Sequence, residues 1–214
     1  TDRIWSQLKK EPFGQRPIAP GKSRVIYVTA EMRRVAQAGG LGDVSLELPE
    51  HLNSNGNEVA VITPGYDTKV GEDLGINLEV WLRGEAVTLG VRRAYLNGTW
   101  TYLLTNSKYF NESGPYSGGD DAMLERFVLL SAGSLELIKT LGMKPDVINA
   151  NDWHTALVPF YMRTLPEHAE YFHDVAANLT IHNLEYKGKF GFDKAQTISI
   201  GHTDIVQNYS GILE

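Results

Sequence analysis

Short apolar runs separated by helix-length stretches leave this chain few ways to fold. Residues 24–30 (RVIYVTA), 58–63 (EVAVIT), 146–150 (DVINA) and 177–181 (ANLTI) carry apolar side chains without a polar alternate. That is the pattern of strands covered on both faces. Between the first two runs lie a glycine loop, residues 31–42, and a helix to about Leu52, with Asp43 as its N-cap and Val44, Leu48 and Leu52 along one face. Asn55 and Gly56 stop it. Strand, loop, helix and strand make a crossover that is nearly always right-handed in a parallel sheet. The expected fold is α/β: a doubly wound, mostly parallel Rossmann-like sheet, whose ligands sit at the carboxyl ends of its strands.

Residues 76–105 depart from this rhythm. They alternate, and they break at Gly84 and again at Asn97 and Gly98, which predicts an antiparallel hairpin insert. A polar loop, 106–121, leads to a long helix over 123–141 with Phe127, Leu130, Ser134, Leu137 and Leu141 on one side and Gly142 as C-cap. Asn151 or Asp152 caps a further helix carrying Trp153, Leu157, Phe160 and Tyr161. Residues 1–23, with three prolines and no period, read as an irregular lead-in, so the domain spans 24–214.

Composition removes whole classes of function. Against 26 Asp plus Glu the 214 residues carry only 20 Lys plus Arg, a net charge of -6, so no global field gathers nucleic acid or an anionic membrane. There is no cysteine, hence no disulfide, thiolate metal site or cysteine nucleophile. No apolar run is long enough to cross a membrane and no signal-peptide core opens the chain, which predicts a soluble protein in a reducing compartment. Thr1 in place of Met suggests an upstream stretch trimmed away. The N-x-[ST] triplets at Asn97, Asn111, Asn178 and Asn208 read as chance, Asn178 falling on a strand expected to be buried. His168 and His173 are off a common helical face, so no metal spacing exists, and with His51 and His202 they are expected at the surface. A G-x-S-x-G elbow and a Gly-Lys-Ser/Thr loop are missing, and Gly40 and Gly42 are followed by Ser45 where G-x-G-x-x-G needs glycine. A Rossmann-type oxidoreductase is thereby disfavoured.

Three strand ends bear polar clusters: QAGGLGD at 37–43, NANDWH at 149–154 and HNLEY at 182–186. The glycine loop can aim its amides and the positive end of the following helix at a phosphate, or its glycines can simply turn the chain tightly. His154 can hydrogen-bond a sugar hydroxyl or act on a proton, or it can cap neighbouring backbone groups. His182, directly after a strand, reads as structural, and Asp120 with Asp121 as a solvated or helix-capping pair.

Four segments, GGLGDV at 39–44, EVAVITPGYD at 58–67, NDWHTALVP at 151–159 and TIHNLEYKG at 180–188, resemble the glycogen and starch synthase family in this order. The resemblance spans residues 24–214 and implies the N-terminal, acceptor-side half of a GT-B glycosyltransferase. It also implies a retaining transfer of glucose from ADP-glucose to the non-reducing end of an α-1,4-glucan or maltooligosaccharide. The carry-over assigns Gln37, Gly39, Gly40, Gly42 and Asp43 to the donor phosphates and nucleotide. His154 goes to the glucosyl unit at the reaction centre, and Tyr66, Asp121 and Asn183 to the sugar or acceptor. No metal and no cofactor beyond the nucleotide-sugar substrate is implied, and the setting is the bacterial cytoplasm or the plastid stroma. Four positions depart from the pattern. Gln37 stands where the family has a phosphate-contacting lysine, Arg34 (beside Arg33) where it has proline, Gly65 where it has arginine, and Ala122 where it has aspartate, Asp121 being one residue out. The resemblance places the rest of the donor site in a C-terminal domain absent from these residues, so this chain by itself is expected to be inactive. The alternative is a non-catalytic relative that binds glucan or a synthase.

Overall fold

The computed structural model describes residues 13–14, 17–66, 69–111 and 113–199. Asp67, His202 and Asn208, named above, lie outside the described residues. A sheet of seven strands runs through the middle. β1 (Arg24–Val28), β2 (Glu58–Pro64), β6 (Val147–Asn151) and β7 (Ala176–Thr180) are parallel, as is β5 (Thr99–Thr105) to β2. β3 (Glu72–Leu82) and β4 (Glu85–Leu96) extend the sheet antiparallel from β5, giving the order β3-β4-β5-β2-β1-β6-β7. The expected antiparallel hairpin insert is thus present as one wing of the main sheet.

Helices cover both faces. Along β1, Ile26 and Val28 point into the larger core and Tyr27 into a smaller one on the opposite side, as the two-residue period of a strand requires. The smaller core is closed by α1 (Gly40–Ser54) through Leu46, the larger by α2 (Gly119–Thr140) and α3 (Leu157–Thr164). α4 (Pro166–Tyr171) and a short α5 (Ala195–Ile198) follow. Phe13 of the lead-in is also buried in the larger core.

Several local expectations change for identifiable reasons. α1 starts at Gly40 with Gly39 as an extended N-cap that offers no side chain, so Asp43 sits in the first turn, where its charge complements the helix dipole, and caps nothing. The face α1 buries carries Leu41, Gly42, Ser45, Leu46 and Pro49, whereas Val44 and Leu48 remain 37% and 39% exposed. Small residues decide this rotation: Ser45 comes close enough to the end of β1 for its Oγ to lie 2.8 Å from Thr29 Oγ1. α2 is buried nearly all round rather than on one side, because β3 and β4 wrap it with Leu78, Val80, Leu82, Leu89 and Val91. Its end is a Schellman motif, with Gly142 at φ 63 one position beyond the cap and the Met143 N–H returning to Ile138. β7 is an edge strand among the described residues, and its side chains, Asn178 included, are mostly exposed. His168 is buried, not at the surface, with Nε2 2.8 Å from Glu136 Oε1, because α4 folds back on α2. His51 and His173 are exposed as expected.

At Gly133 α2 packs tightly on the sheet, since a Cβ there would stand 2.6 Å from Leu89 Cδ1 and 3.1 Å from Leu104 Cδ1. Gly133→Val should overpack this contact and cost about 1–3 kcal/mol, read as a lowered denaturant midpoint with an unchanged slope.

Candidate functional site

Chain order and sheet order part company at one place. From β1 the chain moves to β2 and onward to one edge, then returns through α2 to β6 on the other side of β1. The loops that leave the adjacent carboxyl ends of β1 and β6, registered Val28 to Ala150, therefore diverge and open a crevice at the topological switch point.

The β1 side of the crevice is the glycine loop, and a carboxylate of the same chain organises it. Glu31, only 2% exposed, accepts the N–H of Ala38 at 2.7 Å and of Gly39 at 2.8 Å on Oε2, while the hydroxyl of Tyr116 donates to Oε1. The Gly39 amide, expected to face a ligand anion, thus faces Glu31 together with that of Ala38. The amides of Gly40 and Leu41, in the first turn of α1, have no intrahelical acceptor. Gln37 donates through Nε2 to Asp43 Oδ2 at 2.9 Å and to the Gly39 carbonyl at 3.1 Å. A Cβ on Gly42 would stand 2.7 Å from Gln37 Cγ, which explains that glycine. Arg33 is engaged by Asp43 at 3.0 Å and Glu47 at 2.8 Å, and Arg34, at φ 81, forms the tip of a tight turn bridged from Met32 to Ala36.

On the β6 side the chain turns through Asp152, whose φ of 57 with ψ of -178 is a conformation natural to glycine and costly, by roughly 1–3 kcal/mol, to other residues. Its carboxylate caps no helix. Oδ1 instead accepts the N–H groups of His182 at 2.7 Å and Asn183 at 3.2 Å, tying down the loop after β7. Asn151, fully buried, donates to Val28 O and accepts from His182 Nε2 at 2.9 Å, so His182 has the structural role read from its position. The side-chain oxygen of Asn183 accepts the Glu185 N–H within its own turn.

His154 follows in a single turn of 3-10 helix, Trp153–Thr155, and makes no capping bond. The imidazole is 6% exposed and surrounded by Trp153, Phe127 and Tyr116 at ring distances of 4.3, 4.7 and 5.4 Å, and its Nδ1 has no hydrogen-bond partner among the described residues. Burial pulls its pKa down to about 4, against the smaller upward pull of Asp152 and Glu31, so the ring is neutral at pH 7. Tyr116 thus touches Glu31 with its hydroxyl and His154 with its ring, and this joins the two sides of the crevice. The loop carrying Tyr116 is pinned by the buried Arg126, which donates to the carbonyls of Tyr109, Pro115 and Ser117.

Beyond Trp153 the crevice widens into two contiguous clefts of about 380 and 480 Å³ between the start of α2 and residues 185–194. They share Asp120, Lys189 and Phe190, and Tyr186 and Trp153 line the first. Gly188, at φ 60, lays its backbone against the Trp153 ring, where a Cβ would come within 2.3 Å. Asp121 lines the second cleft and is held below the usual carboxylate range by its bond to Lys194, Oδ1 to Nζ 2.8 Å. Tyr66 is buried elsewhere on this rim, its hydroxyl donating to Ala30 O at 2.8 Å. Glu31, Tyr116, Arg126 and the residues at 185–190 other than Glu185 and Tyr186 do not stand out in the sequence as separate site residues. The signals for them are a charge directly after an apolar strand, a tyrosine in a Gly-Pro loop and an arginine inside an apolar helix.

The family described as "Starch synthase catalytic domain" matches residues 24–212. The glycogen synthase of Photobacterium profundum is 34% identical over 183 residues, which is 82% of this chain and 36% of that protein. A glycogen synthase of Streptococcus pneumoniae is 34% identical over 172 residues, 78% of this chain and 36% of that one. The catalytic domain of starch synthase IV from Arabidopsis thaliana, solved bound to ADP and acarbose, superposes with a TM-score of 0.75 at 29% identity over 83% of this chain and 37% of its own. The chain thus spans just over a third of the length of these relatives.

An NMR titration of His154 should give a pKa near 4. Because the unfolded chain binds this proton near pH 6.5, the contribution is complete above 6.5 and is lost as the pH falls towards 4, on the order of 3 kcal/mol in all. Across that window the denaturation midpoint of wild type should fall relative to that of His154→Phe.

Proposed function

This chain belongs to the glycogen and starch synthase family of glycosyltransferases, and on that footing we propose that it is the N-terminal, acceptor-side half of a GT-B enzyme moving glucose from ADP-glucose to the non-reducing end of an α-1,4-glucan. The observation that carries the reading is the neutral, enclosed imidazole of His154 at the switch point, next to a cleft walled by Trp153, Tyr186 and Phe190. Aromatic faces suit the apolar faces of sugar rings, and Asp120 and Glu185 on the same walls accept from hydroxyls. The glucan end lies in this cleft and its terminal residue reaches His154. A neutral imidazole gives a hydrogen bond to the glucosyl unit without placing a second positive charge on an oxocarbenium-like centre.

The donor is ADP-glucose, which the ADP bound to the Arabidopsis starch synthase supports, and it enters as substrate with no resident cofactor or metal. Its diphosphate approaches the first turn of α1 near Gln37, Gly39, Gly40, Gly42 and Asp43. In a transfer that expels a nucleotide diphosphate, charge stabilisation of the leaving group dominates, and this loop supplies little of it. Gln37 is spent on Asp43 and Gly39, and Arg33 on Asp43 and Glu47. That task falls to groups of the whole protein beyond these residues. A cytoplasmic setting is supported by the two bacterial relatives named above. No helix among the described residues is long and apolar enough to cross a membrane.

The same loop supports a second reading, a glucan- or synthase-binding relative without transfer activity, because the lysine position is a glutamine already held by an aspartate. Titrating the chain with maltoheptaose, followed by NMR, tests the glucan binding that both readings use, and ADP-glucose tests the donor contact that only the first requires. Maltoheptaose should shift the resonances of Trp153, His154 and Tyr186, and their silence would end the acceptor-side reading. Gln37→Lys should tighten ADP-glucose about ten-fold through a charge-assisted bond and raise the transfer rate of the whole protein. An unchanged rate together with glucan binding would favour the non-catalytic relative.

A further inference from the structure

Glu31 and Tyr116 form a pair whose polarity is fixed by chemistry. The Tyr116 hydroxyl donates to Glu31 Oε1 while Oε2 accepts two backbone amides, so both carboxylate oxygens act as acceptors and the phenolic proton points at Glu31. Burial and that bond push the Tyr116 pKa far above its ordinary value, so the proton stays there at any pH the protein meets. Tyr116 is 42% exposed as a residue, and with its proton given to Glu31 its oxygen can serve a ligand only as an acceptor. The other carboxylate oxygen is fully used by Ala38 and Gly39, so Glu31 cannot turn away without orphaning two backbone amides.

We propose that Glu31 is a specificity-determining positioning residue, which holds Tyr116 as a hydrogen-bond acceptor and so selects a neutral hydroxyl-bearing ligand over a phosphate at this point of the rim. A sugar hydroxyl donates to Tyr116. A phosphate oxygen finds no proton there and meets the carboxylate of Glu31 beside the hydroxyl. The inference rests on the acceptor-side reading above and says which atom of this chain enforces it, through a residue that itself touches no ligand.

Glu31→Gln tests it with almost no change of shape. The amide oxygen can keep both N–H bonds, while the amide nitrogen donates to the Tyr116 oxygen and turns the phenolic proton towards the crevice. In NMR titrations of the chain, Glu31→Gln should weaken maltoheptaose binding about ten-fold and strengthen inorganic phosphate binding several-fold. Hydrogen exchange at Ala38 and Gly39 should stay as slow as in wild type. Tyr116→Phe should lose maltoheptaose affinity to the same extent without gaining phosphate, and the double variant should lose no more than either single one. Unchanged selectivity with protected amides would overturn the proposal. So would the loss of both ligands with fast exchange at 38 and 39, which would make Glu31 a strut and nothing else. A wild-type chain that binds no maltoheptaose would overturn the acceptor-side reading and this inference together, whereas the two preceding results leave that reading standing.

Discussion

Two buried carboxylates hold the rim together, one on each side of the switch point. Glu31 accepts the successive amides of Ala38 and Gly39, and Asp152 those of His182 and Asn183. An apolar sheet must release its chain into polar loops at the carboxyl ends of its strands, and the loop amides there have no strand to pair with. A carboxylate that bridges two consecutive N–H groups satisfies both at once and fixes the direction in which the loop leaves. The arrangement has a cost, since each burial takes a charge out of water. Asp152 adds a backbone conformation that glycine would adopt more easily. Such strain persists where the surroundings over-determine it, and here they do: its N–H goes to Thr180 O, its side chain to the next loop and its carbonyl to Thr155.

From these anchors the rest of the site follows in sequence. Fixing the glycine loop fixes the start of α1 and the place of Gln37. Tyr116, bonded to Glu31, draws in the loop before α2, and Arg126 closes that loop from beneath. Tyr116, Phe127 and Trp153 then shut His154 away from water, which is why its imidazole is neutral. Trp153 in turn receives the backbone of Gly188 and forms one wall of the larger clefts. The path from a strand end to a binding cleft is a chain of single contacts, each of which leaves its neighbour few alternatives.

Much of the architecture is legible from residue order alone, because a run such as RVIYV can be satisfied in few ways and a glycine pair with a periodic stretch behind it in fewer. What stays hidden is orientation. Nothing in Val44, Leu48 and Leu52 reveals that Gly42 and Ser45 turn α1 about its axis, so that of these three only Leu52 packs against the smaller core. Nothing in ANLTI reveals that β7 lies at an edge among the described residues, since an apolar run states what it could be covered by and not what covers it. The burial of His168 escapes the sequence for the same reason: its partner, Glu136, is 32 residues away on another helix. The positions of Gln37, Asp43 and His154 at the rim are readable as strand-end clusters. Their partners Glu31 and Tyr116 are not, because a hydrogen bond across 85 residues leaves no local pattern.

Under the transfer proposed above, the charges around the glycine loop argue for a division of labour. Near the start of α1 the chain gathers Glu31, Asp43 and Glu47, and the guanidinium of Arg33 is already shared between the last two. An incoming diphosphate gains from the helix dipole there, worth roughly 0.3–1 kcal/mol at an exposed terminus, and must set that against nearby carboxylates at comparable range. The dipole alone does not win that contest. Hydroxyl groups face no such conflict, since they donate to carboxylates and to a fixed phenolic oxygen and accept from neutral amides and an imidazole. The local electrostatics therefore suit the uncharged end of the substrate pair far better than the charged one. On the reading proposed above, such a rim would recognise the sugar and would leave the departing phosphate to cations other than the already paired Arg33.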